Sequence, residues 1–82
     1  MDKSIFSKDY EAFLRLLRSA RERAGVTQVQ LAERLGQTQS FVSKCERGER
    51  RLDIVEVRAF CKALGISFAS LVAEFENTTT HG

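Results

Sequence analysis

Apolar residues recur along this chain at intervals of three and four, and no stretch alternates as a half-buried strand would. Tyr10, Phe13, Leu14, Leu17, Ala20 and Ala24 form the first stripe, and Ser7 before it and Gly25 after it predict a helix over residues 8–24. A short second run (Val29, Leu31, Ala32, Leu35) lies between a capping Thr27 and the stop at Gly36, and a third (Val42, Cys45) follows Thr38. Asp53, with Glu56 three residues on, opens a fourth helix whose expected buried face is Ile54, Val57, Phe60, Cys61 and Leu64. After Gly65, Ser67 caps a fifth helix carrying Phe68, Leu71, Val72 and Phe75. The expectation is an all-α, five-helix domain over residues 8–76, with a polar lead at 1–7 and a disordered tail at 77–82.

Length and composition narrow the reading. A chain of 82 residues holds one domain and buries roughly 60 to 65% of its unfolded surface, so its core must be compact. No apolar run approaches the roughly 20 residues of a membrane span, and the N-terminus lacks the basic-then-apolar order of a signal peptide, so the expected compartment is the cytoplasm. Cys45 and Cys61 lie on apolar stripes without metal-ligand spacing and read as reduced core residues, and the lone His81 sits in the tail, where it would be inert. No nucleophile stands beside a base, and there is no phosphate-cradling glycine loop. The chain therefore reads as a non-enzyme without cofactor or metal.

Net charge is only +2, but it is unevenly spread. Residues 1–51 carry eleven Lys or Arg against seven Asp or Glu, a net +4, whereas residues 52–82 carry two against four, a net −2. The basic excess accompanies residues 27–51, TQVQLAERLGQTQSFVSKCERGERR, which read as helix, tight turn, helix. The outward side of the second of these helices, about residues 39–47, presents Gln39, Ser40, Ser43 and Lys44, side chains able to hydrogen-bond base edges in a DNA major groove. Arg15, Arg18 and Arg23 either flank a DNA backbone or form a solvated basic face. Arg21 lies in phase with Leu14 and Leu17, on the inward side, and so requires an acidic partner, for which Glu46 is the candidate.

Thr27-Gln28, Leu31-Ala32, Gly36, Gln39 to Lys44, Glu46-Arg47-Gly48 and Ala63 to Ile66 together resemble the Cro and phage-repressor type (Xre-like) helix-turn-helix family. The resemblance spans residues 14–71 and implies a lambda-repressor-like domain that binds a palindromic DNA operator as a homodimer, most simply as a repressor. It implies base reading by Gln39, Ser40, Ser43 and Lys44, and backbone contacts from Gln28 and Thr38, which Arg47, Arg50 and Arg51 would extend. Arg21 and Glu46 match the family's structural ion pair. Phe41 can face a thymine methyl or the core, and Cys45 stands where relatives carry a larger apolar residue. The fifth helix, through Phe68, Leu71, Val72 and Phe75, is either a cover for the bundle or the surface shared with a second copy. An antitoxin, which would bind a toxin protein as well as its operator, is the alternative reading, and a pure protein-interaction module is a third.

Overall fold

A computed structural model describes residues 3–79 of the chain, with side chains from residue 8 to residue 78. The order is α1 (Lys3–Arg23), α2 (Gln28–Leu35), α3 (Gln39–Glu46), α4 (Ile54–Leu64) and α5 (Phe68–Thr79), with no strand among the described residues. The all-α expectation holds, but both terminal boundaries move outward. Helix α1 starts at Lys3, not after Ser7, and α5 continues beyond Glu76 to Thr79. Propagating a formed helix costs little per residue, and neither segment contains a proline or glycine to stop it. At the C-terminal end the Thr78 hydroxyl donates to the Glu74 carbonyl at 2.8 Å. His81 lies outside the described residues.

Capping side chains set the inner boundaries. Thr27 accepts from the Gln30 backbone N–H while the Gln30 side chain accepts from Thr27 N–H at 2.9 Å, and Asp53 with Glu56 repeats the arrangement at the start of α4. Thr38 caps α3 through Phe41 N–H at 3.1 Å, and Ser67 caps α5 through Ser70 N–H at 3.1 Å. Gly36 ends α2 at φ 68°, a left-handed conformation that L-residues adopt only at a cost, and Gly48 turns the chain after α3 at φ 79°. At Gly48 a Cβ would also stand 3.2 Å from Leu14 Cδ1 on α1, so the turn is both twisted and crowded.

Helix α2 packs on α3 and α4, while α1 crosses α3 and lies along α5. Leu17, Leu31, Val42, Cys45, Phe60 and Cys61 are the most deeply buried side chains, so all of the first four helices feed one core. Leu71 of α5 closes it, and Val26 in the α1–α2 turn, outside any predicted stripe, fills its edge. Three residues expected inside are not. Ile54 is 69% exposed because it occupies the first helical position after the Asp53 cap, a turn ahead of the buried Val57. Ala24 lies past the last helical residue in an exposed turn, and Val29 is 53% exposed on the outer side of α2. Leu16, predicted off the stripe, packs half-buried against the core.

Both cysteines are free and buried, and desolvation pushes their thiols above the ordinary range, consistent with inert core residues. Phe41 supplies the bulk that Cys45 lacks. Its ring lies 6.5 Å from that of Phe60 and packs against the core, so of its two readings the structure takes the inward one.

Candidate nucleic-acid interface

The short turn after Gly36 sets α3 across α2 so that the N-termini of both helices emerge on the same side, linked by a direct contact. Gln39, the first residue of α3, donates from Nε2 to Oε1 of Gln28, the first residue of α2, at 2.7 Å. Helix N-termini present free backbone N–H groups and a partial positive charge of about half a unit, which suits phosphate oxygens. Gln28 retains a second amide hydrogen, and Thr38, whose oxygen is taken by the cap, retains its hydroxyl proton.

Across the outer face of α3, Gln39, Ser40 and Lys44 are exposed. Lys44 has no acidic partner among the described residues within salt-bridge distance. Ser43 is half-buried, and its hydroxyl accepts from Arg47 Nη1, which ties it to the end of the helix. With its side chains an α-helix such as α3 is about 10 to 12 Å across, which matches the roughly 12 Å width of a major groove.

Beneath this face lies a charge the sequence had placed inward. Arg21, 8% exposed, donates from Nε to Glu46 Oε2 at 2.6 Å and from Nη2 to Oε1 at 3.1 Å, while its Nη1 reaches the Val26 carbonyl at 2.9 Å. The ion pair therefore fastens α1 to α3 and to the turn before α2, with each guanidinium nitrogen donating once. Gln28 Nε2 adds a further contact to Glu46 Oε1 at 2.8 Å, which sequence reasoning missed. The available signal was weak: two glutamines at the first positions of consecutive helices, and nothing in their spacing that joins them to residue 46.

The three arginines after α3 stand differently from one another. Arg47 donates to Glu49 at 2.9 Å as well as to Ser43, and this hydrogen bond holds the Glu49 carboxyl below its ordinary range. The pair is exposed and screened by water, so a phosphate can displace the carboxylate at little cost. Arg50 is more committed: it stacks 5.0 Å over Phe41, reaches Glu56 at 2.8 Å, and donates to the Arg51 carbonyl at 2.6 Å. Arg51 faces away from the turn, 4.3 Å over the Tyr10 ring, whose hydroxyl accepts from Leu52 N–H at 3.0 Å. Arg47 thus joins the outer face of α3, Arg50 braces the loop, and Arg51 sits beside α1. Arg15 and Arg18 of α1 share a groove with Glu46 and Arg47 on the flank of α3, whereas Arg23 pairs with Glu74 of α5 at 3.4 Å.

Of the α5 residues, Leu71 is spent on the domain's own core, Phe68 packs half-buried against it, and Phe75 meets Phe13 edge-on at 5.4 Å. Val72 is 49% exposed and lines, with Phe75, Tyr10, Leu52 and Ile54, an apolar groove of about 380 Å³ between α1, α4 and α5. Ile54, which the predicted stripe of α4 had placed inside, and Val55, which that stripe left out, stand together there as an exposed apolar pair.

A helix-turn-helix domain family matches residues 12–75, which include every helix but the start of α1 and the end of α5. An XRE-family-like protein from Pseudomonas syringae pv. tomato is 48% identical in sequence and superposes with a TM-score of 0.87 over 94% of each chain. The chain belongs to the Xre-like helix-turn-helix family of transcriptional regulators. A protein of Sinorhizobium fredii named as an uncharacterized HTH-type transcriptional regulator, y4dJ, is 33% identical over 71% of this chain and 75% of its own length. The clp gene regulator ClgR of C. glutamicum, 32% identical, superposes at 0.76 over 88% of this chain and 94% of that one. In this Xre-like domain the helix-turn-helix is α2 and α3, the pair whose N-termini the Gln28–Gln39 contact joins. None of the described helices is long and apolar enough to cross a membrane.

Proposed function

We propose that this Xre-like domain is a sequence-specific transcriptional repressor of the cytoplasm that binds a palindromic operator as a homodimer. Helix α3 enters the major groove, where Gln39, Ser40 and Lys44 contact base edges and Ser43 supports them through its bond to Arg47. The N-termini of α2 and α3, with Gln28 and Thr38, grip phosphates on either side, and Arg47 exchanges Glu49 for a phosphate oxygen. Two copies related by a two-fold axis place their α3 helices about 34 Å apart in successive grooves, and bound protein excludes polymerase. The apolar patch of Val72, Ile54 and Val55 is the surface through which the copies join, with Phe75 and Phe68 supporting it from within. The antitoxin reading draws no support from the relatives above.

One observation carries this reading: an exposed, cation-bearing α3 face stands between two helix N-termini that open on the same side. Its test is a titration of labelled duplexes by fluorescence anisotropy at several salt concentrations. Lys44→Ala is expected to lower affinity for the selected site by about 1 to 3 kcal/mol and to leave affinity for scrambled DNA much closer to that of the wild type. Equal losses on both duplexes would remove the base-reading role of Lys44.

A further inference from the structure

The Glu46 side chain is 5% exposed and takes three donors, although its ion pair needs only the two that come from Arg21. The third is Gln28 Nε2, at 2.8 Å. A carboxylate only accepts, so it dictates which end of the Gln28 amide turns towards it. An amide has one donating end and one accepting end. With its nitrogen on Glu46, Gln28 must turn Oε1 outward, and there it accepts from Gln39 Nε2 at 2.7 Å. Gln39 is then left with Oε1 and the second Nε2 hydrogen facing solvent, an acceptor beside a donor.

The geometry points to Glu46 as a positioning residue that fixes the amide polarity of Gln39, and thereby its choice of adenine over guanine, without touching a base. This inference rests on the DNA reading proposed above. Adenine presents N6–H and N7 in the major groove, a donor and an acceptor, which match the outward Oε1 and N–H of Gln39. Guanine presents two acceptors, O6 and N7, which match an amide turned the other way, with both hydrogens outward. A solvated glutamine can take either orientation. In this domain the chain of hydrogen bonds from Arg21 through Glu46 and Gln28 sets one of them before DNA arrives.

Replacing both members of the ion pair by methionine, Arg21→Met with Glu46→Met, removes the buried end of the chain without leaving either charge unpaired. Gln28 then has no carboxylate to hold its nitrogen inward, and Gln39 is free to turn.

The experiment measures affinity for a selected operator with each base pair in turn at the position read by Gln39, identified as the one where Gln39→Ala loses discrimination. The wild type is expected to prefer adenine over guanine there by about tenfold or more. The double variant Arg21→Met with Glu46→Met is expected to erase that preference, with the preferences at other positions and the slope of affinity against salt unchanged. Gln28→Ala leaves the ion pair intact and frees Gln39 to turn, so it should bring adenine and guanine to parity, and it decides the matter if the double variant does not fold. An unaltered adenine preference in either folded variant overturns the positioning role. So does an equal loss at every position, which would mark Glu46 as structural only, or a Gln39→Ala variant that loses discrimination nowhere. Absence of any salt-dependent duplex binding by the wild type would instead bring down the DNA reading on which the inference stands.

Discussion

The helix-turn-helix face and the α5 face are both built from short amphipathic helices, yet the first presents polar side chains joined to one another and the second presents apolar ones. On the reading side, Gln39, Gln28, Glu46 and Arg21 form one continuous hydrogen-bonded chain, and caps at Thr27 and Thr38 fix where each helix begins. On the α5 side, Val72, Ile54 and Val55 are exposed apolar side chains at an open groove. Polar contacts have direction and specify one arrangement, whereas apolar contact fixes area but not orientation. A surface that must discriminate between bases is expected to be of the first kind, and a surface that must only exclude water against a second copy can be of the second.

Cutting the polar chain at its buried end gives the largest expected effect. Arg21→Ala leaves the Glu46 carboxylate buried without its partner and is expected to cost about 3 to 5 kcal/mol of stability in urea denaturation. A loss below about 1 kcal/mol would show that the reading face does not depend on the pair. On the apolar face, Val72→Asp is expected to weaken self-association by more than about 2 kcal/mol, because a charge would enter a water-excluding contact. Sedimentation should show the shift to monomer, and an unaltered dimer would place the interface elsewhere.

Gly48→Ala sharpens the comparison at the junction between α3 and α1. Its positive φ and the 3.2 Å approach to Leu14 predict a loss of about 1 to 2 kcal/mol, read by thermal unfolding. Smallest is the acid response of the loop brace. The hydrogen bond from Arg50, helped by Asp53 N–H, holds the Glu56 carboxyl below its ordinary range. A depressed carboxylate stabilises the fold at pH above its unfolded value, and that contribution fades as pH falls through the lower folded value. Glu56→Gln should therefore reduce the loss of stability seen on acidification below the ordinary carboxylate range. An identical pH profile in the variant would show that the brace contributes nothing.

The same contrast explains what could be read in the chain before the structure. Caps, glycines and the Arg21 phase are local signals, and they placed α2, α3, α4 and the Arg21–Glu46 pair correctly. The ends of α1 and α5 escaped because helix propagation is set by the absence of a stop, which a plausible cap such as Ser7 can obscure. Ile54 kept its apolar identity but not its burial, since a first-turn residue can satisfy the periodicity and still project past the core. The stripe of α5 left open whether Leu71 covers the bundle or joins a second copy, and it closes the domain's own core, a distinction that a single stripe does not contain. The Gln28–Glu46 contact joins residues on different helices, and its geometry follows only from the angle between them.

Two α3 helices, one from each copy, are expected to read DNA together. Selection of bound duplexes from a random pool tests it directly. Enrichment of an inverted repeat whose half-sites lie about one helical turn, or 34 Å, apart is the predicted result. Recovery of no enriched sequence, or of a single unrepeated half-site, would contradict it.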